Sequence, residues 1–95
     1  MISQEAIDDL ENIWIFTFNN WSVKQADRYH SIIINEIEYI SNNFMIGKSF
    51  EHIKSGYRAS KVKSHLIFYK MNDSNIVEII RILHQRMDIS NRLKD

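Results

Sequence analysis

The chain predicts an α+β domain, an N-terminal antiparallel helical hairpin packed on a small antiparallel β-sheet of three to four strands. Three observations predict it. Apolar residues recur with helical period over the first 43 residues, interrupted once near Trp21-Ser22. The segment Ser64 to Asp88, SHLIFYKMNDSNIVEIIRILHQRMD, holds two runs of branched and aromatic residues around the polar turn Asn72-Asp73-Ser74-Asn75, the pattern of a β-hairpin. Helices first and strands after give segregated α+β layers, with helices covering one sheet face. The 95 residues suit one domain, 1–95, divided into a helical hairpin 3–43, a loop 44–55, a sheet 56–85 and a tail 86–95.

Each element has a local cause. Ser3 is placed to cap the first helix, with Glu5, Asp8 and Asp9 near its positive start. Ala6, Leu10, Ile13 and Thr17, beside Ile7, Trp14, Phe18 and Trp21, form a broad apolar stripe, and Ile15 and Phe16 fall outside it. Asn19-Asn20 ends this helix, and Ser22 with Gln25 three residues on is a capping box for the next. Helix two is expected to bury Ala26, Tyr29, Ile33, Ile37 and Ile40, leaving Ile32 and Tyr39 on its other side, and to stop at Asn42-Asn43. A turn this short makes the helices antiparallel. Gly56-Tyr57-Arg58 opens a strand running to about Val62. With a turn centred near Asp73, His65 is expected opposite Arg81 and Ile67 opposite Ile79.

Strict alternation in the last strand puts Ile76, Ile80 and Ile82 on one face and Val77, Ile79, Arg81 and Leu83 on the other. Two helices cover one face only. The other apolar face, with Arg81 in it, is expected to await a partner, since contiguous exposed apolar surface marks interaction sites. The alternative is that the chain's own tail, Ile89 to Leu93, folds over it.

Composition excludes several classes. With 44% apolar and 25% charged residues the chain is globular. It has no cysteine, so no disulfide framework or thiolate chemistry. No apolar run is long enough to cross a bilayer and no secretory apolar segment opens the chain. A net charge of zero hides a split. Residues 1–47 carry seven carboxylates against two cations, and residues 48–95 carry ten cations against five carboxylates. An acidic or nucleic-acid partner for the second half, or attraction between the halves, both fit this split.

The four histidines, His30, His52, His65 and His84, lack metal-ligand spacing, so no metal or cofactor is expected. Gly47-Lys48-Ser49 resembles the end of a phosphate loop, but Asn42 stands where that loop needs glycine. His65, Tyr69, Arg81 and His84 could crowd one sheet end and suit RNA cleavage, imidazole moving protons and guanidinium gripping phosphate. Half-buried strand residues with satisfied polar tips are the other reading. Lys54, Arg58, Lys61 and Lys63 beside Tyr57 suit either phosphate contact or a charged edge strand.

The order of short motifs resembles the ParE branch of the ParE/RelE toxin superfamily. Ala6 with Asp9-Leu10 and Ile13-Trp14 resembles its first helix, and Trp21-Ser22 with Gln25-Ala26-Asp27 its WSxxQAxxY turn. Gly47-Lys48, Gly56-Tyr57-Arg58, His65 with Ile67-Phe68-Tyr69, and Arg81-Ile82-Leu83-His84 through Arg86-Met87-Asp88 follow in order. The resemblance implies a RelE/ParE fold and a cytoplasmic type II toxin that poisons DNA gyrase and blocks replication by binding, not turnover. It implies a hetero-oligomeric complex with a ParD-like antitoxin whose C-terminal segment wraps the toxin, and no membrane or direct sequence-specific nucleic-acid binding.

Under this resemblance Arg81, His84, Arg86, Met87 and Asp88 are expected to carry toxicity and gyrase contact, unless Arg81 is a structural cation paired with Glu78 or a tail carboxylate. Ile15, Ile32, Tyr39, Tyr57, Arg58, His65, Tyr69, Ile79 and Arg81 are expected to meet the antitoxin, by covering an apolar face or pairing with a strand edge. RelE-type relatives instead cut messenger RNA on the ribosome, often with a C-terminal tyrosine. The last tyrosine here is Tyr69, and a RelE-like ribosome-dependent endoribonuclease is the runner-up. The family opens on a short strand, for which only Met1-Ile2 precede Ser3 here, so either that strand is missing or the start lies further upstream. The family's Asn-Pro after helix two is Asn43-Phe44.

Overall fold

The hairpin's two helices are joined through Trp21 and Ser22 alone, which forces them back to back. The computed structural model describes residues 1–93 and shows α1 (Gln4–Asn20) and α2 (Val23–Asn42) in that antiparallel pair. A 3₁₀ turn, Phe44–Ile46, leads to β1 (Lys48–Ser49), followed by β2 (Arg58–Val62), β3 (His65–Met71), β4 (Val77–His84) and a one-turn helix α3 (Ile89–Arg92). The four strands pair antiparallel in sequence order. Both expected caps form. Ser3 Oγ accepts from the Ala6 N–H at 3.0 Å and Ser22 Oγ from the Gln25 N–H at 3.1 Å, each satisfying a helix-start donor that has no intrahelical acceptor.

The helices bury Ala6, Leu10, Ile33, Ile37 and Ile40 against Val62, Ile67, Tyr69, Val77, Ile79 and Ile82. Val77, Ile79 and Ile82 cannot share a face in a regular strand. They do so because Phe68 pairs with Arg81 while Tyr69 pairs with Ile79, leaving Ile80 as the extra residue of a β-bulge. The bulge flips the alternation after Ile79. It corrects the strict-alternation expectation, and His65 lies opposite His84 and Ile67 opposite Ile82 rather than Arg81 and Ile79. The β3–β4 turn is also longer than a turn centred on Asp73, because Asn72 Oδ1 accepts from both the Ser74 and Ile76 N–H groups.

The second sheet face is not vacant, which overturns the expectation of an open surface there. Tyr57, Ala59, Phe68 and Leu83 are covered by Phe50 and Ile53 of the loop and by Ile89 and Leu93 of the tail, with Leu93 only 4% exposed. Lys54 Nζ donates to the Leu93 carbonyl at 2.9 Å and holds the cover down.

The outer edge of β4 is held as well, at Ile79 and Ile82. Met1 O accepts from the Ile79 N–H at 2.8 Å, and the Ser3 N–H donates to Ile79 O at 2.9 Å. Ile2 therefore makes a single parallel bridge to Ile79. Beyond it, Asp9 on α1 takes over. Arg81 Nε and Nη2 donate to Asp9 Oδ2 and Oδ1 at 2.8 and 2.9 Å, and the Ile82 N–H donates to Oδ2 at 2.9 Å. Arg81 is thus paired with Asp9, not with Glu78 or a tail carboxylate; Glu78 faces Lys70. The two side chains are only 18% and 13% exposed, and loss of one partner strands a charge largely shielded from water. Arg81→Ala is expected to lower stability by about 2–3 kcal/mol. A double-mutant cycle with Asp9→Ala, read by urea unfolding, should return a coupling of at least about 1.5 kcal/mol.

Tyr69, wholly buried, pins the opposite end. Its hydroxyl donates to Phe44 O at 2.7 Å and accepts from the Gly47 N–H at 2.8 Å. A Cβ on Gly47 would collide with that hydroxyl and lie 2.8 Å from Ala59 O. Gly47→Ala should therefore cost about 1–3 kcal/mol through overpacking, measured as a lowered urea midpoint with an unchanged slope.

Candidate functional site

A groove of about 1000 Å³ lies between the hairpin and the far end of the sheet. One wall is the outer half of α1 and the start of α2, with Ile13, Phe16, Trp21, Arg28, Tyr29 and Ile32. The opposite side is the β2–β3 turn and the end of β4, with Lys63, His65, His84 and Met87. Ala6 and Leu10 are buried in the first half of α1, whereas Phe16 near its end is 66% and Trp21 beyond it 74% exposed. Trp14 stacks on Phe18 with ring centroids 5.4 Å apart and donates from Nε1 to Asp27 Oδ1 at 2.9 Å, tying the two helices together at this end.

At the base, His65 and His84 face each other across β3 and β4, with ring centroids 5.3 Å apart and planes at 81°. Tyr29 Oη lies 2.7 Å from His65 Nδ1, so α2 positions the imidazole. Burial and then the neighbouring His84 hold His65 below the usual histidine range, against an opposing pull from Asp9. Burial raises Tyr29. Asp9 raises Arg81 further by accepting its hydrogen bonds. His84 Nδ1 accepts from the Arg86 N–H at 3.1 Å.

Of the four residues weighed for RNA cleavage, His65, Arg81 and His84 line the groove and Tyr69 does not. His65 and His84 meet at the base of the groove. Tyr69 lies under the 44–47 loop with both sides of its hydroxyl engaged, and Arg81 is committed to Asp9. Of the expected antitoxin contacts, Tyr57, Tyr69 and Ile79 are buried within the domain, so their side chains offer no surface to a partner. Arg58 spends its guanidinium on the Gly47 and Met45 carbonyls. Ile32, His65 and Arg81 border the groove, while Ile15 and Tyr39 are exposed elsewhere on the helices. Of the expected toxicity segment, Arg86 and Met87 are exposed and His84 is half-buried. Asp88 caps α3, its carboxylate accepting from Asn91 Nδ2 at 2.6 Å.

Sequence reasoning did not single out Asp9 as the partner of Arg81, nor Arg28, Lys63 and Trp21 as groove residues. Phe16, outside the buried stripe, was the available signal for an exposed wall.

A family model described as "ParE toxin of type II toxin-antitoxin system, parDE" matches residues 1–89. The chain belongs to the ParE toxin family. It is 34% identical over 93 residues to Toxin ParE1 of Mycobacterium tuberculosis, covering 98% of this chain and 95% of that protein. It is 37% identical over 87 residues to Toxin ParE1 of Caulobacter vibrioides, covering 92% and 88%. Among solved structures, a chain of the chromosomal ParDE TA system from P. aeruginosa superposes with a TM-score of 0.77 at 16% identity, covering 87% of this chain and 90% of its own, a likeness of fold. Among the described residues of this ParE-family chain, no helix is long and apolar enough to cross a membrane.

The depressed His65 gives a signed pH dependence. Below about pH 6.5 the unfolded chain binds a proton that folded His65 resists, so stability is fully present above that pH and is lost as pH falls toward the folded value. Urea unfolding at pH 7.5 and 5.5 should show the lower stability at 5.5. His65→Gln should narrow the difference.

Proposed function

We propose that this chain is the toxin of a type II pair that inhibits DNA gyrase in the cytoplasm by binding rather than turnover, and that a ParD-like antitoxin neutralises it. Family membership supports the toxin role. The observation that weighs most against the ribonuclease alternative is the tying down of Tyr69 and Arg81. A general acid or base must reach the proton it moves, and a hydroxyl buried with both sides engaged does not. The antitoxin is read as covering the groove beside Ile32, His65 and Arg81. A disordered segment that folds on binding can cover such an apolar surface. Exposed Ile15 and Tyr39 are further contact candidates.

Gyrase contact is read as lying with His84, Arg86 and Met87, where β4 ends and the side chains reach solvent. Arg81 and Asp88 support that segment from behind, through Asp9 and through the α3 cap. Induction of the chain alone in a bacterial host should give filamentous cells, an SOS response and cleaved gyrase–DNA complexes. Early loss of translation with cut messages and intact chromosomes would instead establish the ribonuclease. Arg86→Ala with Met87→Ala should relieve growth inhibition while shifting stability by no more than about 0.5 kcal/mol, since both residues are exposed. Full toxicity of that soluble double variant would remove these residues from the contact.

A further inference from the structure

The groove joins two kinds of surface. Trp21 and Phe16 are broad aromatic rings left mostly in water, whereas tryptophan is usually well covered. Arg28, Lys63 and Arg92 also line it, and among the described residues none of these three forms an ion pair. Among the described residues the one carboxylate of the groove is Asp9, which is spent on Arg81 and on the Ile82 N–H. Among the described residues the lining therefore carries an excess of positive charge, although the whole chain is neutral.

Lys63 reaches this position at a backbone cost. It sits in the two-residue β2–β3 turn with φ of 55°, a left-handed conformation that Asn or Gly usually fills.

We propose that this groove takes a short stretch of single-stranded DNA, with bases stacked on Trp21 and Phe16 and phosphates on Arg28, Lys63 and Arg92, without sequence readout. Stacking needs only a flat ring, and phosphate needs only an unneutralised cation. An extended peptide cannot add a strand beside β4 at Ile79 or Ile82, where Met1–Ser3 and Asp9 already hold the edge. The choice of DNA over RNA rests on the gyrase reading above, because gyrase works on DNA. The strand and the antitoxin would then claim the same groove, and antitoxin cover would exclude the strand.

The test uses the purified full chain and a fluorescent oligothymidylate about twelve nucleotides long, within the span such sites occupy. Anisotropy should show saturable binding at low salt with a dissociation constant tighter than about 0.1 mM. The plot of log K against log salt should have a slope of about −2, as for three phosphates on a single strand. Trp21→Ala should weaken binding about ten-fold. Arg28→Ala with Lys63→Asn, which suits the left-handed turn while removing charge, should weaken it further and flatten the salt slope. Circular dichroism verifies that each variant is folded. Full-strength binding by folded Trp21→Ala overturns the proposal, as does no binding by the unmodified chain at 0.1 mM protein, about the non-specific limit. Equal competition by a polyglutamate peptide of the same charge identifies a groove for acidic polypeptide and overturns it. Tighter binding of oligouridylate overturns the DNA assignment. None of these results bears on filamentation or gyrase cleavage in cells, so the gyrase reading stands or falls separately.

Discussion

The structure turns on one carboxylate. Asp9 reaches from the second turn of α1 to the edge of β4, grips Arg81 with both oxygens and accepts the Ile82 N–H. One side chain thereby closes a sheet edge, docks a helix and neutralises a cation that otherwise would be half-buried alone. The geometry depends on the bulge at Ile80. Without that extra residue Ile82 would turn away from the helices and leave the core. With it, Arg81 stands at the edge within reach of Asp9. The guanidinium also approaches the Arg92 carbonyl at 3.5 Å, which links α1, β4 and the tail at one point.

That linkage changes the meaning of Arg81. A cation in an apolar strand suggests a contact held ready for another molecule. Here its demand is met internally, and the exposed chemistry moves to its neighbours, His84, Arg86 and Met87. The second sheet face tells the same story, since the chain's own tail and loop cover it. The domain's open surface lies between the C-terminal half of α1 and the end of β4, and it combines exposed aromatic rings with cations that form no ion pair among the described residues. Such a surface is a better candidate for partners than the sheet face, because there the apolar groups are already in contact with one another.

The helices were legible because their causes are local. Ser3 and Ser22 accept from N–H groups three residues on, the Asn pairs end each helix, and the two-residue connection leaves only an antiparallel pairing. The hairpin strands were legible from branched residues about a polar turn. The site was legible in part. His65 and His84 were singled out, but their mutual pairing was hidden by a turn longer than assumed and by a bulge that alternation alone does not announce. Tyr69 looked like a polar tip for chemistry, and its role as the pin of the 44–47 loop depends on Phe44 and Gly47, more than twenty residues away.

The sequence by itself determined the helical hairpin, the strand hairpin, the α+β order and the kinship with ParE toxins, because periodicity, caps and motif order are properties of neighbouring residues. Only the tertiary structure decided that Arg81 belongs to Asp9, that the tail seals the second face and that the groove stays open. Each of these brings together residues well separated along the chain, and such meetings follow from how α1, the bulged β4 and the tail pack.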